Sequence, residues 1–280
     1  MLPRFSSLRA KTKKEAVMVL ADHEPAALIA GGTDLLVRMK RGESHRHLID
    51  ITSIEELKGA VADGSRILIG AATTHSRIST DPLIRKSARS LAEAAAGIGS
   101  PQIRNLGTIG GNLANASPCA ESVPPLLIHD ALLTIESAQG ERVEELEQFI
   151  TAPYRTTLTG REMLSGIRIE RLEGYREGYR RVAKRAAWAV SRLGIAWAIK
   201  EAEDRFLDVR LGIGSCTPRP FRPRSAEALL NGRRREKGLV EEAVKLCLEE
   251  TRQISGERPS FIYKLPVIRD LLRAILNNRL

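Results

Sequence analysis

Two glycine-bearing stretches decide how this chain is read: AGGTDLL at 30–36 and PQIRNLGTIGGNLANASPCAESVPPLL at 101–127. In the first, AALIA (26–30) reads as a short buried strand. Gly31 and Gly32 break it, and Thr33 is placed to cap a helix carrying Leu35, Leu36 and Met39. Such a turn leaves several backbone N–H groups unpaired at the positive end of a helix, which suits a phosphate. In the second stretch, Gly110 and Gly111 let another group approach the backbone closely. Asn112, Asn115 and Ser117 add short polar side chains to a segment too apolar for a solvated loop. Taken singly, each stretch also fits a tight structural turn. Two such loops, each with a threonine and a following apolar run, favour one long anionic ligand shared between them.

Outward from these loops the first half alternates helix and strand signals. A helix is expected over 11–20, strands over 47–51 (HLIDI) and 66–72 (RILIGAA), and an alanine-rich helix over 86–96 ended by Gly97 and Gly99. No element is assigned to 100–125; a strand follows at 131–137, before the Gln139-Gly140 turn. The second part has a buried strand at 194–200, then alternating Leu207, Val209, Leu211 and Ile213, the period of a half-buried antiparallel strand. Three helices should follow, one capped by Ser225 and stopped by Asn231-Gly232, one over 239–251, and one beginning near Pro266. A small three-stranded sheet under a helical layer fits that order.

With 42% hydrophobic and 28% charged residues, the 280-residue chain can bury a sizeable core. No apolar run nears the roughly 20 residues of a membrane span, and MLPRFSSLRAKTKK turns polar too early for a secretory signal, so a cytoplasmic protein is expected. Cys119, Cys216 and Cys247 are too far apart for a disulfide framework, and no CxxC pair starts a metal or iron–sulfur site. Residues 1–170 carry 20 basic and 20 acidic side chains, leaving 24 basic and 14 acidic beyond, so the whole excess of +10 lies in the last 110 residues. Aromatic residues are 4% and do not interleave with the basic clusters, so the stacking half of a nucleic-acid site is missing. GIGSPQ (97–102) and GIGSCT (212–217) lack the last glycine of a dinucleotide fingerprint, and no GxxxxGK, GxSxG or HExxH occurs. His45 and His47 read as surface residues, and His23, His75 and His129 as isolated polar ones. Cys119 has no evident neighbouring base and is not expected to be a nucleophile.

The paired loops, in this order and about 75 residues apart, resemble those of the flavin-binding medium subunit of the molybdenum hydroxylases, the carbon monoxide dehydrogenase, xanthine dehydrogenase and aldehyde oxidase relatives. RILIGAATTHSRI (66–78), MLSGIRI (163–169) and YRRVAKRAAWAVSRLGIAWAI (179–199) extend the resemblance over nearly the whole chain. It implies an α+β fold: a two-lobed FAD-binding domain of the vanillyl-alcohol oxidase/p-cresol methylhydroxylase type at 1–172, then a small carbon monoxide dehydrogenase flavoprotein-like domain at 178–280. It implies FAD as cofactor, with Ala30, Gly31, Gly32, Thr33, Asp34 and Leu35 in the loop that cradles the pyrophosphate. Thr108, Gly110, Gly111 and Asn112 match the loop that closes on the phosphates and ribityl chain, and Ser117 and Glu121 match positions that hydrogen-bond the cofactor. Glu121 stands where many relatives have aspartate. Leu164 matches an apolar residue packing near the cofactor, and Arg181 a basic position near the flavin. A cation there would favour the anionic reduced flavin, each pKa unit being about 1.4 kcal/mol. Around Trp188 the sequence departs from relatives with acidic residues, which leaves the electron acceptor open.

The implied partners are a large molybdopterin-binding subunit and a small 2Fe–2S subunit, with electrons passing through FAD to NAD+ or another acceptor. Electron transfer needs no general acid or base, so no catalytic side chain and no metal of the chain's own is expected. A bulky residue at Gly32 or Gly111 should cost the chain its flavin. Two rival readings are a flavin-less structural subunit of the same complex, and a basic nucleic-acid-binding accessory protein using RPFRPRSAEALLNGRRREK (219–237).

Overall fold

Short apolar strands alternating with helices in the first fifty residues fold into a small parallel sheet. In the computed structural model, which describes residues 2–23, 25–185 and 190–280, this lobe contains β1 (Ser6–Arg9), α1 (Lys13–Asp22), β2 (Ala26–Ile29), α2 (Leu35–Lys40) and β3 (His47–Asp50). The strands run parallel in the order β1-β3-β2. Thr12 caps α1 by accepting from the Glu15 N–H, and α1 lays Ala16, Val17 and Leu20 against Ile49 and Ile51. The departure read around Trp188 lies outside the described residues.

The second lobe begins with β4 (Ala60–Asp63) and β5 (Arg66–Gly70), then runs through α3 (His75–Thr80), α4 (Pro82–Ser87), α5 (Arg89–Gly97), α6 (Pro101–Leu106), α7 (Ile109–Asn115) and α8 (Val123–Ile128). It continues with β6 (Leu132–Ser137), β7 (Gly140–Glu145), α9 (Leu146–Phe149), the ribbon β8 (Ile150–Ala152) and β9 (Arg155–Thr156), and β10 (Glu162–Glu170). Its sheet has the order β4-β5-β10-β6-β7, every pair antiparallel. Alternate residues Ile67, Ile69, Leu133, Ile135, Ile167 and Ile169 point to one face and pack on the helices.

The C-terminal part is an antiparallel sheet of β11 (Arg176–Ala183), β12 (Ser191–Ala202) and β13 (Arg205–Gly214), followed by α10 (Arg224–Leu230), α11 (Lys237–Ser255) and α12 (Phe261–Leu276). The helices bury one face of that sheet, around Ile195, Trp197, Val209 and Leu211. The other face meets α5 and α8 through small residues, Ala94 against Ala196 and Ala198, with Tyr179 and Ile128 beside them. The α+β fold with a three-stranded C-terminal sheet is the one the resemblance implied. The GIG of 212–214 has a packing role: a Cβ on Gly212 would stand 2.4 Å from the Pro124 carbonyl oxygen, and one on Gly214 2.6 Å from Pro124 Cγ.

Several local expectations change. The stretch 100–125 is mostly helix: Ser100 caps α6 with Pro101 in its first turn, Thr108 caps α7, and Pro124 and Pro125 open α8. Its glycines hid three sets of start signals. The single helix expected at 86–96 is two, broken at Ala88 (φ −152°, ψ 55°), because Glu177 of β11 caps the second by accepting from the N–H groups of Arg89 and Ser90. Asp34, not Thr33, precedes α2, and no side chain caps it. Ser225 lies inside α10 and Pro266 inside α12.

Candidate functional site

The parallel strand β2 delivers its chain end, Ala30-Gly31-Gly32-Thr33-Asp34, to the crevice beyond the carboxyl edge of its sheet, where open α/β sheets bind ligands. Gly32 takes φ +65°, the left-handed region that favours glycine. Among the described residues no acceptor meets the N–H groups of Gly31, Gly32, Thr33, Asp34 or Leu35. Successive unpaired N–H groups around a positive-φ glycine form a concave anion-binding array.

The second loop is pinned opposite. His75 N–H donates to Gly107 O (3.0 Å), Ile109 N–H to Thr73 O (3.0 Å) and Gly110 N–H to Ala71 O (2.8 Å), fastening the start of α7 to the end of β5. Gly110 serves this close contact, since a Cβ there would lie 2.6 Å from Ala71 Cβ. Gly111 faces outward, where a Cβ would meet only Thr108 Oγ1 at 3.0 Å. The two loops touch at their backs: a Cβ on Gly31 would be 1.8 Å from Leu106 O. Between them lies a cleft of about 220 Å3 lined by Ala30–Leu35 on one wall and by Gly107, Thr108, Gly111 and Asn112 on the other.

Nine of the fourteen expected site residues therefore surround one cleft, and Gly110 supports its wall from behind. Glu121 and Arg181 meet each other at the seam with the C-terminal sheet. Arg181 Nη1 donates to Gly97 O (2.7 Å) and Glu121 Oε1 (3.0 Å), and the Ser191 hydroxyl also donates to Glu121 Oε1. Glu121 Oε2 is buried without a partner, close to the open face of Gly97. Tyr179 adjoins this cluster, and burial followed by the Glu121 charge holds its phenol far above its ordinary range. Leu164 is buried on β10 at a bulge, in the core beneath α7. Ser117 accepts from the Cys119 N–H (3.3 Å).

Sequence reasoning missed four titratable wall residues. Arg38 donates to Asn115 Oδ1 (3.1 Å) and pairs with Glu43 (3.0 Å), whose other oxygen meets His45 Nε2 (2.8 Å). The remaining one is His75, 3% exposed. His45, read as a surface residue, is half-buried, and His75, read as an isolated polar one, is buried; both line the cleft. For Arg38 a signal existed: one helical turn after Asp34, it projects back over the turn before it.

A family model described as the FAD binding domain in molybdopterin dehydrogenase matches residues 3–170, and one described as the CO dehydrogenase flavoprotein C-terminal domain matches 178–278. The chain belongs to this family of FAD-binding subunits. The xanthine dehydrogenase FAD-binding subunit of Escherichia coli O157:H7 is 31% identical over 273 residues, 96% of this chain and 94% of that one. The nicotinate dehydrogenase FAD-subunit of Eubacterium barkeri is 31% identical over 279 residues, 97% and 94% of the two chains. Among solved structures, a carbon monoxide dehydrogenase of Hydrogenophaga pseudoflava superposes with a TM-score of 0.91 at 28% identity, covering 99% of this chain and 97% of that one. A quinoline 2-oxidoreductase of Pseudomonas putida 86 shares the fold, with a TM-score of 0.90 at 24% identity, over 100% and 98% of the chains.

The chain is thus an oxidoreductase subunit of the FAD-binding kind. The residues present fit that cofactor: an unpaired N–H array and a glycine wall without a Cβ on one cleft, and an orphaned carboxylate oxygen of Glu121 near Gly97. The basic segment 219–237, by contrast, is turned inward at several points. Arg222 is 6% exposed and bound to Asp130 and Glu227, and the half-buried Arg235 pairs with Glu201, while Arg224 pairs with Glu147 at the surface. Among the described residues no helix is long and apolar enough to cross a membrane, and no cluster of metal-ligating side chains occurs.

Proposed function

We propose that this chain is the electron-transferring medium subunit of a molybdenum hydroxylase, partnered by a small 2Fe–2S subunit and a large molybdopterin-binding subunit, receiving electrons from the iron–sulfur clusters and delivering them to NAD+ or another acceptor. The single observation that carries the reading is the convergence of the two glycine loops on one cleft with the N–H groups of Gly31 to Leu35 unspent. FAD, when bound, supplies the exchange between one-electron and two-electron carriers. The chain's own residues bind and orient. The first loop's N–H groups would hold the diphosphate, with Thr33 and Thr108 beside it and Gly111 leaving the backbone of α7 open to it. The cleft is smaller than the roughly 300–1,000 Å3 of pockets that enclose a whole ligand, so it suits the diphosphate rather than the entire cofactor. Glu121 Oε2, buried without a partner, is the acceptor we assign to a cofactor hydroxyl. Arg181 holds a positive charge at the seam, partly offset by Glu121 at 3.0 Å.

The purified chain, stripped and then incubated with FAD, should take up about one flavin and turn yellow, and Gly111→Val should lower its FAD affinity by roughly tenfold or more while leaving the fold intact. A well-folded parent chain that stays colourless at saturating FAD supports the flavin-less structural subunit instead.

A further inference from the structure

The resemblance runs through His75 but assigns it no role, yet it stands where the two loops meet. Its position is set twice over: Thr74 caps α3 by accepting from Arg77 N–H, and the His75 N–H donates to Gly107 O (3.0 Å). The ring is held against the loop junction. A point one Cβ bond out from Gly107 lies 3.3 Å from His75 Cδ2 and 3.5 Å from Thr33 Oγ1, so the Cδ2–Nε2 edge and the Thr33 hydroxyl flank the same spot. His75 is 3% exposed, lines the cleft, and makes no ring hydrogen bond to a described residue; Nδ1 is fully buried without a partner. The unpaired Nδ1 is a cost to the fold, whereas Nε2, also without a partner, is not fully buried and is open to a ligand in the cleft. The charged and titratable groups around it are Arg104, and, on the far wall, Asp34, Arg38, Glu43 and His45.

We infer that His75 is a phosphate-binding residue of the cleft, its ring donating from Nε2 to an oxygen of the bound diphosphate beside the Thr33 hydroxyl. This rests on the FAD reading above. Burial, and after it the Arg104 charge, pull the ring's pKa down to about 4, so the imidazole is neutral at ordinary pH and acts as a directional donor rather than a counter-charge. Neutrality suits the place: the array opposite already provides the positive potential, and a second cation beside Arg104 would be repelled when the site is empty.

The test titrates FAD, ADP and riboflavin into the full apo chain and into His75→Leu and His75→Gln, and records the melting temperature of each apoprotein. Loss of one donor to a charged phosphate should weaken FAD and ADP by roughly 10- to 100-fold in His75→Leu, with riboflavin, which has no phosphate, unaffected. His75→Gln, whose side-chain amide nitrogen can replace Nε2, should recover most of the affinity. The His75→Leu apoprotein should melt no lower than the parent, because an orphaned buried nitrogen has been removed. Parent-like FAD binding in His75→Leu overturns the inference, as does an equal loss in both variants accompanied by a lower melting temperature, which is the mark of a packing residue. A parent chain that binds no FAD overturns the functional reading itself.

Discussion

Gly31→Ala should lose FAD almost completely, by about 100-fold or more in affinity (~2.8 kcal/mol). The new methyl would have to stand 1.8 Å from Leu106 O, 2.3 Å from Leu106 C and 2.9 Å from Gly107 N. All three are backbone atoms, so no side chain can swing aside. Either the end of β2 or the turn between α6 and α7 must move, and those are the two walls of the cleft. Overpacking of this kind ordinarily costs about 1–3 kcal/mol of stability, which a chain of this size survives, so the variant should fold and bind poorly. Gly238→Ala is the matched control: it lies in α11 with nothing within 4 Å of its would-be Cβ, and alanine there should be neutral or slightly stabilising. Stoichiometric flavin in Gly31→Ala, measured by absorbance of the purified protein, would contradict the geometry.

The largest stability effect should come from Glu177, which joins the C-terminal sheet to the flavin lobe. Its side chain is 5% exposed and accepts from Arg89 N–H (3.1 Å), Ser90 N–H (2.8 Å), the Ser90 hydroxyl and His129 Nε2 (2.8 Å). It thereby caps α5, which has no cap in its own sequence, and partners a fully buried His129 whose Nδ1 meets Glu170 O at 2.7 Å. Truncation leaves four donors without their acceptor, each buried one costing about 1–3 kcal/mol, so Glu177→Ala should lower the melting temperature by about 10 °C; a fall below about 2 °C would refute this role. Burial pushes the Glu177 carboxyl up, but the bonds from His129 and Ser90 outweigh it and hold the group below its ordinary value. A carboxyl lowered in the folded state adds stability that is full above its unfolded pKa and is lost as pH falls through the folded one. The parent should therefore lose stability below about pH 4.5, and Glu177→Ala should show a flatter acid limb.

Much of the architecture was legible in the chain because its signals are local. The glycine breaks after β2, the alternation along β13 and the charge step near residue 170 each reflect one element's own requirements. The stretch 100–125 was not, because three helices of six or seven residues offer too few turns for a periodicity, and their prolines and caps sit among glycines that read as loop. The break at Ala88 depends on a carboxylate 89 positions further on, which no local pattern contains. The two cradling loops were visible as glycine pairs, since close approach demands that residue. His75 and the Arg38–Glu43–His45 wall were not, because the sequence does not tell which polar side chains a fold brings to the same cleft. Glu121 and Arg181 are an intermediate case: the resemblance placed both near the cofactor, whereas their mutual pairing across the seam is a tertiary fact.

The central claim is that Gly31–Leu35 and Thr108–Asn112 hold one diphosphate between them. A crystal structure of the chain soaked with FAD measures it directly. The account predicts phosphate density within hydrogen-bonding distance of the N–H groups of Gly32 to Leu35 and against the bare face of Gly111. Density for the diphosphate anywhere else, with that cleft holding only solvent, would contradict it.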